Sequence, residues 1–94
     1  MRLTDLLQLT NDLSNQTNLY LTIGQKTIPL AKVKISSSEC LLFPGKKSLT
    51  KGKLVNLVKN IHGRSIPIFI YNQKKRIAVY GIQILTDQNG VRLT

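Results

Sequence analysis

The stretch Leu19-Tyr20-Leu21-Thr22-Ile23-Gly24-Gln25-Lys26-Thr27-Ile28-Pro29-Leu30-Ala31-Lys32-Val33-Lys34-Ile35 decides the fold class. Leu19, Leu21 and Ile23 alternate with Tyr20 and Thr22, the two-residue period of a strand with one buried face. Gly24-Gln25-Lys26 turns the chain, and Thr27 to Ile35 reads as a second strand. Its apolar residues change phase, because Ile28 and Leu30 fall on even positions while Val33 and Ile35 fall on odd ones. A β-bulge near Leu30-Ala31 restores a single apolar face. Lys32 and Lys34 then point to solvent or guard a sheet edge.

Upstream of this hairpin, Thr4 to Ser14 reads as a helix. Thr4 is its candidate cap, and Asp5 suits the positive end of the helix dipole. Leu3, Leu6, Leu7 and Leu13 recur near helical spacing. Downstream, Ser36-Ser37-Ser38 is a loop, and Glu39 to Phe43 is a third strand ended by Pro44-Gly45. A second helix is expected from Ser48 or Thr50 to His62, because Leu54, Leu57, Val58 and Ile61 fall at i, i+3, i+4 and i+7. Gly63 suits the position just past that helix, and His62 its last turn. Ile66 to Tyr71 is a strand and Asn72-Gln73-Lys74-Lys75 its turn. Arg76 to Leu85 is expected as one long partner strand, with Gly81 as a bulge that turns Ile77, Val79, Ile82 and Ile84 to one side. Asn89-Gly90 is a hairpin signal ahead of a short strand, Val91 to Leu93.

The order is helix and three strands, twice. Leu6-Leu7-Gln8-Leu9 aligns with Leu54-Val55-Asn56-Leu57, and Gln25-Lys26 with Gln73-Lys74. The expectation is one α+β domain over residues 1–94, an antiparallel sheet with two helices on one face. Its order is αβββ-αβββ, a candidate internal duplication.

Charge is distributed as unevenly as the elements are regular. The chain has 14 Lys+Arg against 4 Asp+Glu, a formal net charge of +10. From Lys26 to Arg76 there are twelve basic residues and a single acid, Glu39. Such asymmetry points to an anionic partner, with nucleic acid first among them. Ten Lys to four Arg favours loose phosphate contacts over bidentate base reading. A hydrophobic content of 41%, regularly patterned, excludes a disordered basic tail. No apolar run approaches the ~20 residues that span a membrane, so no membrane partner is expected. Asp5, Gln8, Asn11 and Asp12 interrupt any signal-peptide core. Cys40 alone cannot form an intrachain disulfide. A cytoplasmic protein of bacterial or phage type fits these absences.

Two basic clusters are candidate nucleic-acid contacts. Lys46, Lys47, Lys51 and Lys53 surround the start of the second helix, where the dipole is positive and a stable sequence would carry Asp or Glu. An anion held by these lysines and by free helix N–H groups would relieve that repulsion. The cluster is not an NTPase phosphate loop: six residues rather than four separate Gly45 from Gly52-Lys53, and Leu54 stands where Ser or Thr must hold magnesium. Lys74, Lys75 and Arg76 form the second cluster at a hairpin tip. Pairing Tyr71 with Arg76 places Phe69 opposite Ala78 and Pro67 opposite Tyr80. Phe69, Tyr71 and Tyr80 then share one face, a candidate stacking surface for bases or an interface for protein.

A helix, three strands and a second helix flanked by Gly45-Lys46-Lys47, Lys51 and Lys53 resembles, over residues 4 to 62, a double-stranded-RNA-binding domain. The resemblance implies lysines of the second helix start on phosphates. The chain departs from that pattern in its early first strand, in a second helix without the Ala-rich pattern, and in the hairpin that follows.

No catalytic or metal signature is present. Asp5 and Asp12 lie two turns apart, His62 is the only histidine, and no Ser/His/Asp, Cys-x-x-Cys or His-x-x-Glu-His arrangement exists. The expectation is therefore a basic binding module with no enzymatic activity, no cofactor and no metal. It contacts DNA or RNA through phosphates with low sequence specificity. The alternative is a protein-interaction or oligomerisation module whose lysines serve only solubility.

Overall fold

The hairpin that opens the fold forms as its sequence dictates. In the computed structural model, which describes residues 1–61 and 65–94, β1 (Asn18–Ile23) and β2 (Lys26–Ile35) are antiparallel across Gly24-Gln25. Gly24 takes φ +63°, a conformation that costs glycine least. The bulge lies where the phase change places it, between Leu30 and Lys32. It divides β2 into a first part paired with β1 and a second part paired antiparallel with β3 (Cys40–Pro44). Gly45 fits against the bulge; a Cβ there would stand 2.4 Å from the Ala31 Cβ.

The remaining elements are α1 (Leu3–Leu9), α2 (Lys51–Val58), β4 (Ile68–Asn72), β5 (Lys75–Ala78), β6 (Ile82–Leu85) and β7 (Gly90–Leu93). A 3₁₀ turn at Thr86–Gln88 and Asn89 in the left-handed region join β6 to β7. Among the described residues seven strands make one sheet in the order β5-β4-β3-β2-β1-β7-β6. Its pairing is mixed, which corrects the expected antiparallel sheet. β3 and β4 are parallel, as are β1 and β7. The helix between β3 and β4 is the cause, because a helical crossover returns the chain to the same end of the sheet.

The expected single strand from Arg76 to Leu85 is two strands. β5 pairs with β4 and β6 pairs with β7, at opposite edges of the sheet. The chain is therefore not a simple αβββ duplicate: β2 is continuous through its bulge, whereas the corresponding stretch of the second half breaks at Val79-Tyr80-Gly81. That break also fixes the curvature. The four residue steps from Ala78 to Ile82 reach about 14 Å at most. Seven flat strands about 4.8 Å apart would hold their edges about 29 Å apart. The sheet must curl until its edges approach. Three hydrogen bonds hold the connection: Met1 N to Val79 O at 2.9 Å, Tyr80 N to Thr94 O at 3.0 Å and Thr94 N to Gly81 O at 2.9 Å.

Inside the curl lies one core. Leu19 and Leu21, Leu30, Cys40 and Leu42, Ile68 and Ile70, and Val91 and Leu93 meet Leu3 and Leu6 of α1, Leu54 and Val58 of α2, and Val79. Leu57, expected on the buried stripe of α2, is 52% exposed, and Ile84 leaves the expected apolar face at 55%. The first helix starts at Leu3, not after Thr4. Arg2 is the N-cap, and its backbone N–H donates to the Asp5 carboxylate at 2.9 Å. Thr50 caps α2, its Oγ1 accepting from Lys53 N at 3.3 Å. The expected roles of His62 and Gly63 lie outside the described residues. Among the described residues no helix is long and apolar enough to cross a membrane.

Candidate nucleic-acid interface

Strand register decides which charged side chains share a surface. β3 is parallel to β4, with Leu42 beside Ile70, so both strands end at the same side of the sheet. Lys46 and Lys47 follow β3; Lys74 and Lys75 follow β4 across its turn. The two sequence clusters thus emerge from neighbouring strand ends. Gln73 and Lys74 take φ +52° and +65°, the pair of left-handed residues that a tight two-residue hairpin requires, and this turns the exposed Lys74 into the tip.

The sheet surface beside this end is built by the same register. Lys32 pairs with Phe43, and Tyr71 pairs with Arg76. One step past Leu42 and Ile70, Phe43 and Tyr71 stand side by side, with ring centroids 5.4 Å apart and planes at 63°. The Lys32 ammonium lies over the Phe43 ring, 5.8 Å from its centroid, and the Arg76 guanidinium over the Tyr71 ring, 5.6 Å from its centroid. A row therefore runs across four strands: Lys32, Phe43, Tyr71, Arg76. The adjacent row is Lys34, Leu41, Phe69 and Ala78. This is the outer face, since the alternate residues Leu42 and Ile70 belong to the core while Lys32, Lys34 and Arg76 are exposed. Sequence reasoning assigned Phe69, Tyr71 and Arg76 to this surface and missed Phe43, Lys32 and Lys34. The missed signal is parity: Phe43 follows Leu41 by two, as Lys34 follows Lys32.

Tyr80 does not join them. Strand β5 ends at Ala78, Pro67 bridges Arg2 instead, and Tyr80 stands 85% exposed beside a shallow groove lined by Met1, Asp5, Gln8 and Leu9.

Arg76 is not a free cation. Its Nε and Nη2 donate to the two Glu39 carboxylate oxygens at 2.9 and 2.8 Å, a bidentate fork. The Arg76 hydrogen bonds hold the Glu39 carboxyl below its ordinary pKa, and Glu39 in turn raises that of Arg76. The one acid of the basic stretch thus occupies the one arginine on this face among the described residues.

The cluster at the start of α2 divides in two. Lys51 is 8% exposed, and its Nζ donates to the carbonyls of Asn11 at 3.0 Å and Leu13 at 2.7 Å. It anchors the chain after α1 and does not face solvent. Lys46, Lys47 and Lys53 are exposed. The expectation of free N–H groups at this helix start is corrected. Lys51 N donates to Thr17 O at 2.8 Å, Gly52 N to Asn15 O at 2.9 Å, Lys53 N to Thr50 Oγ1 and Leu54 N to Thr50 O at 3.1 Å. These first N–H groups of α2 are taken, so an anion here meets lysine side chains and not backbone. The implied likeness to a double-stranded-RNA-binding domain loses its support with Lys51 and with the mixed sheet.

Comparison with protein-family models, with curated proteins and with solved structures finds no match to this chain.

Proposed function

We propose that the protein is a non-catalytic module that binds nucleic acid through phosphates with low sequence specificity. One observation carries this reading: strand register gathers Lys32 and Lys34 on the outer face, with Lys46, Lys47, Lys74 and Lys75 at the adjoining sheet end. Lys53 is exposed on α2, while Lys51 and Arg76 are held by protein oxygens. Side-chain ammonium groups on long flexible stems suit phosphates and read no base pattern.

Fluorescence anisotropy with duplex DNA, single-stranded DNA and RNA over a range of salt concentrations tests the proposal. If about six phosphates are neutralised, log affinity falls against log salt with a slope near −5 on duplex and near −4 on a single strand. Absence of binding at low salt, or binding without salt dependence, refutes it.

The exposed Tyr80, next to Leu9 at 52% exposure, favours a second reading, a protein contact at the Met1–Leu9 groove. Light scattering separates the two, since self-association through that groove raises the mass with concentration and Tyr80→Ser abolishes the rise.

A further inference from the structure

The exposed lysines account for binding to any polyanion. They do not account for the aromatic row between them. Phe43 and Tyr71 sit edge to face in the middle of a basic sheet surface, with Phe69 one row away on β4. Residues two apart on a strand are separated by about 7 Å. Bases of a duplex rise by about 3.4 Å and present no ring face, because each is stacked on its neighbours. Two bases can lie on Tyr71 and Phe69 together only if they are unstacked and the backbone is extended.

We infer that the anionic partner is a single-stranded nucleic acid whose bases stack on Phe43, Tyr71 and Phe69 while Lys32 and Lys34 hold its phosphates. The inference rests on the proposed phosphate-binding function and specifies its substrate. Charge complementarity supports it. The rim of this face is Lys32 and Lys34 on one side and Arg76 on the other, with Lys74 at the adjoining hairpin tip, and Glu39, its acid among the described residues, is already neutralised by Arg76. Both cations lie over the rings but more than 5 Å from the centroids, farther than a stacked ring would lie. Lys32 has no carboxylate partner among the described residues, so its ammonium can move from the Phe43 ring to a phosphate as a base arrives. Arg76, held by its two bonds to Glu39 with its guanidinium over Tyr71 at 5.6 Å from the ring centroid, offers a second planar group on which a base can stack.

The test compares a fluorescein-labelled deoxythymidine oligonucleotide with an abasic strand of the same length and label. Both carry the same phosphates, and only one carries bases. Wild-type protein is expected to bind the thymidine strand about five- to hundred-fold more tightly than the abasic one. Phe43→Leu and Tyr71→Leu keep apolar volume on the face and remove the ring. Each is expected to lower affinity for the thymidine strand about five-fold or more and to leave affinity for the abasic strand unchanged, with the folded state checked by circular dichroism. Equal, salt-dependent binding of thymidine, abasic and duplex DNA overturns the stacking inference and leaves phosphate binding standing. No binding to any of them overturns both. A concentration-dependent dimer that Phe43→Leu dissociates, with oligonucleotide affinity unaffected, overturns the inference in favour of a protein interface.

Discussion

Lys51→Met separates the lysine that builds the fold from the lysines available to a ligand. The substitution removes two hydrogen bonds from an ammonium to the Asn11 and Leu13 carbonyls, of 3.0 and 2.7 Å, and leaves the apolar stem in place. Hydrogen bonds to a charged group contribute about 1.5–3 kcal/mol each. Both carbonyls lie in partly buried surroundings, so water replaces a share of what is lost. The net cost is about 2–4 kcal/mol. For a domain of this size about 4–8 °C of Tm corresponds to each kcal/mol, so Tm falls by about 8–32 °C. Lys53→Met is the matched control. It removes the same charge from the same helical turn, but Lys53 is exposed, and its expected change lies within about 0.5 kcal/mol. Thermal melting by circular dichroism reads both. Below its Tm, Lys51→Met should bind oligonucleotide as wild type does, whereas Lys53→Met should flatten the salt slope by about one unit. Equal melting temperatures for the two variants, or weakened binding only in Lys51→Met, would refute the assignment.

Three further outcomes follow from the same geometry. Gly45→Ala places a Cβ 2.4 Å from that of Ala31, an overpacking that should cost about 1–3 kcal/mol in urea unfolding, and Ala31→Gly in the same chain should restore most of it; an additive double variant contradicts the close approach. Burial pushes the Cys40 thiol up to about 11, so a thiol reagent at mildly alkaline pH should label it only as the protein unfolds, and immediate labelling of the folded protein contradicts its place in the core. Glu39→Gln releases the Arg76 fork for phosphate and should steepen the salt slope by about one unit. Because the folded-state pKa of Glu39 is lowered, the stability its pair contributes is present above the ordinary carboxylate pKa and disappears as pH falls through the lowered value. Acid titration of wild type should show a loss of stability in that range that Glu39→Gln lacks.

Local chemistry in this chain was legible from sequence where a few neighbouring residues decide it. The phase change from Leu30 to Val33 located the bulge and Gly24-Gln25 the first turn, and of the two expected starts of α2, Ser48 or Thr50, the cap is Thr50. Pairing direction was not read, although the signal was present. A helix between the strands ending at Phe43 and beginning at Ile66 is a crossover, and crossovers join parallel neighbours. The β1–β7 pair carries no such local mark, because it joins the two ends of the chain. The break at Val79-Tyr80-Gly81 reads as a bulge in sequence because Ile77, Val79 and Ile82 are all apolar; all three do touch the core, and alternation alone does not distinguish a bent strand from two strands. Lys51 shows the same difficulty at the site. It lies three residues before Leu54 and seven before Val58, on the buried stripe of α2, yet its charge placed it among the ligand contacts. Phe43 was passed over as the end of an apolar strand. Its partners Lys32 and Tyr71 become neighbours only once three strands are in register.

The most direct measurement is a backbone amide and aromatic NMR titration of the wild-type protein with a short deoxythymidine oligonucleotide. Binding at the β2–β5 surface predicts shifts at Lys32, Lys34, Phe43, Phe69, Tyr71 and Arg76, continuing to Lys46, Lys47 and Lys74 at the sheet end. Shifts confined to Leu9 and Tyr80, or none at low salt, would contradict it.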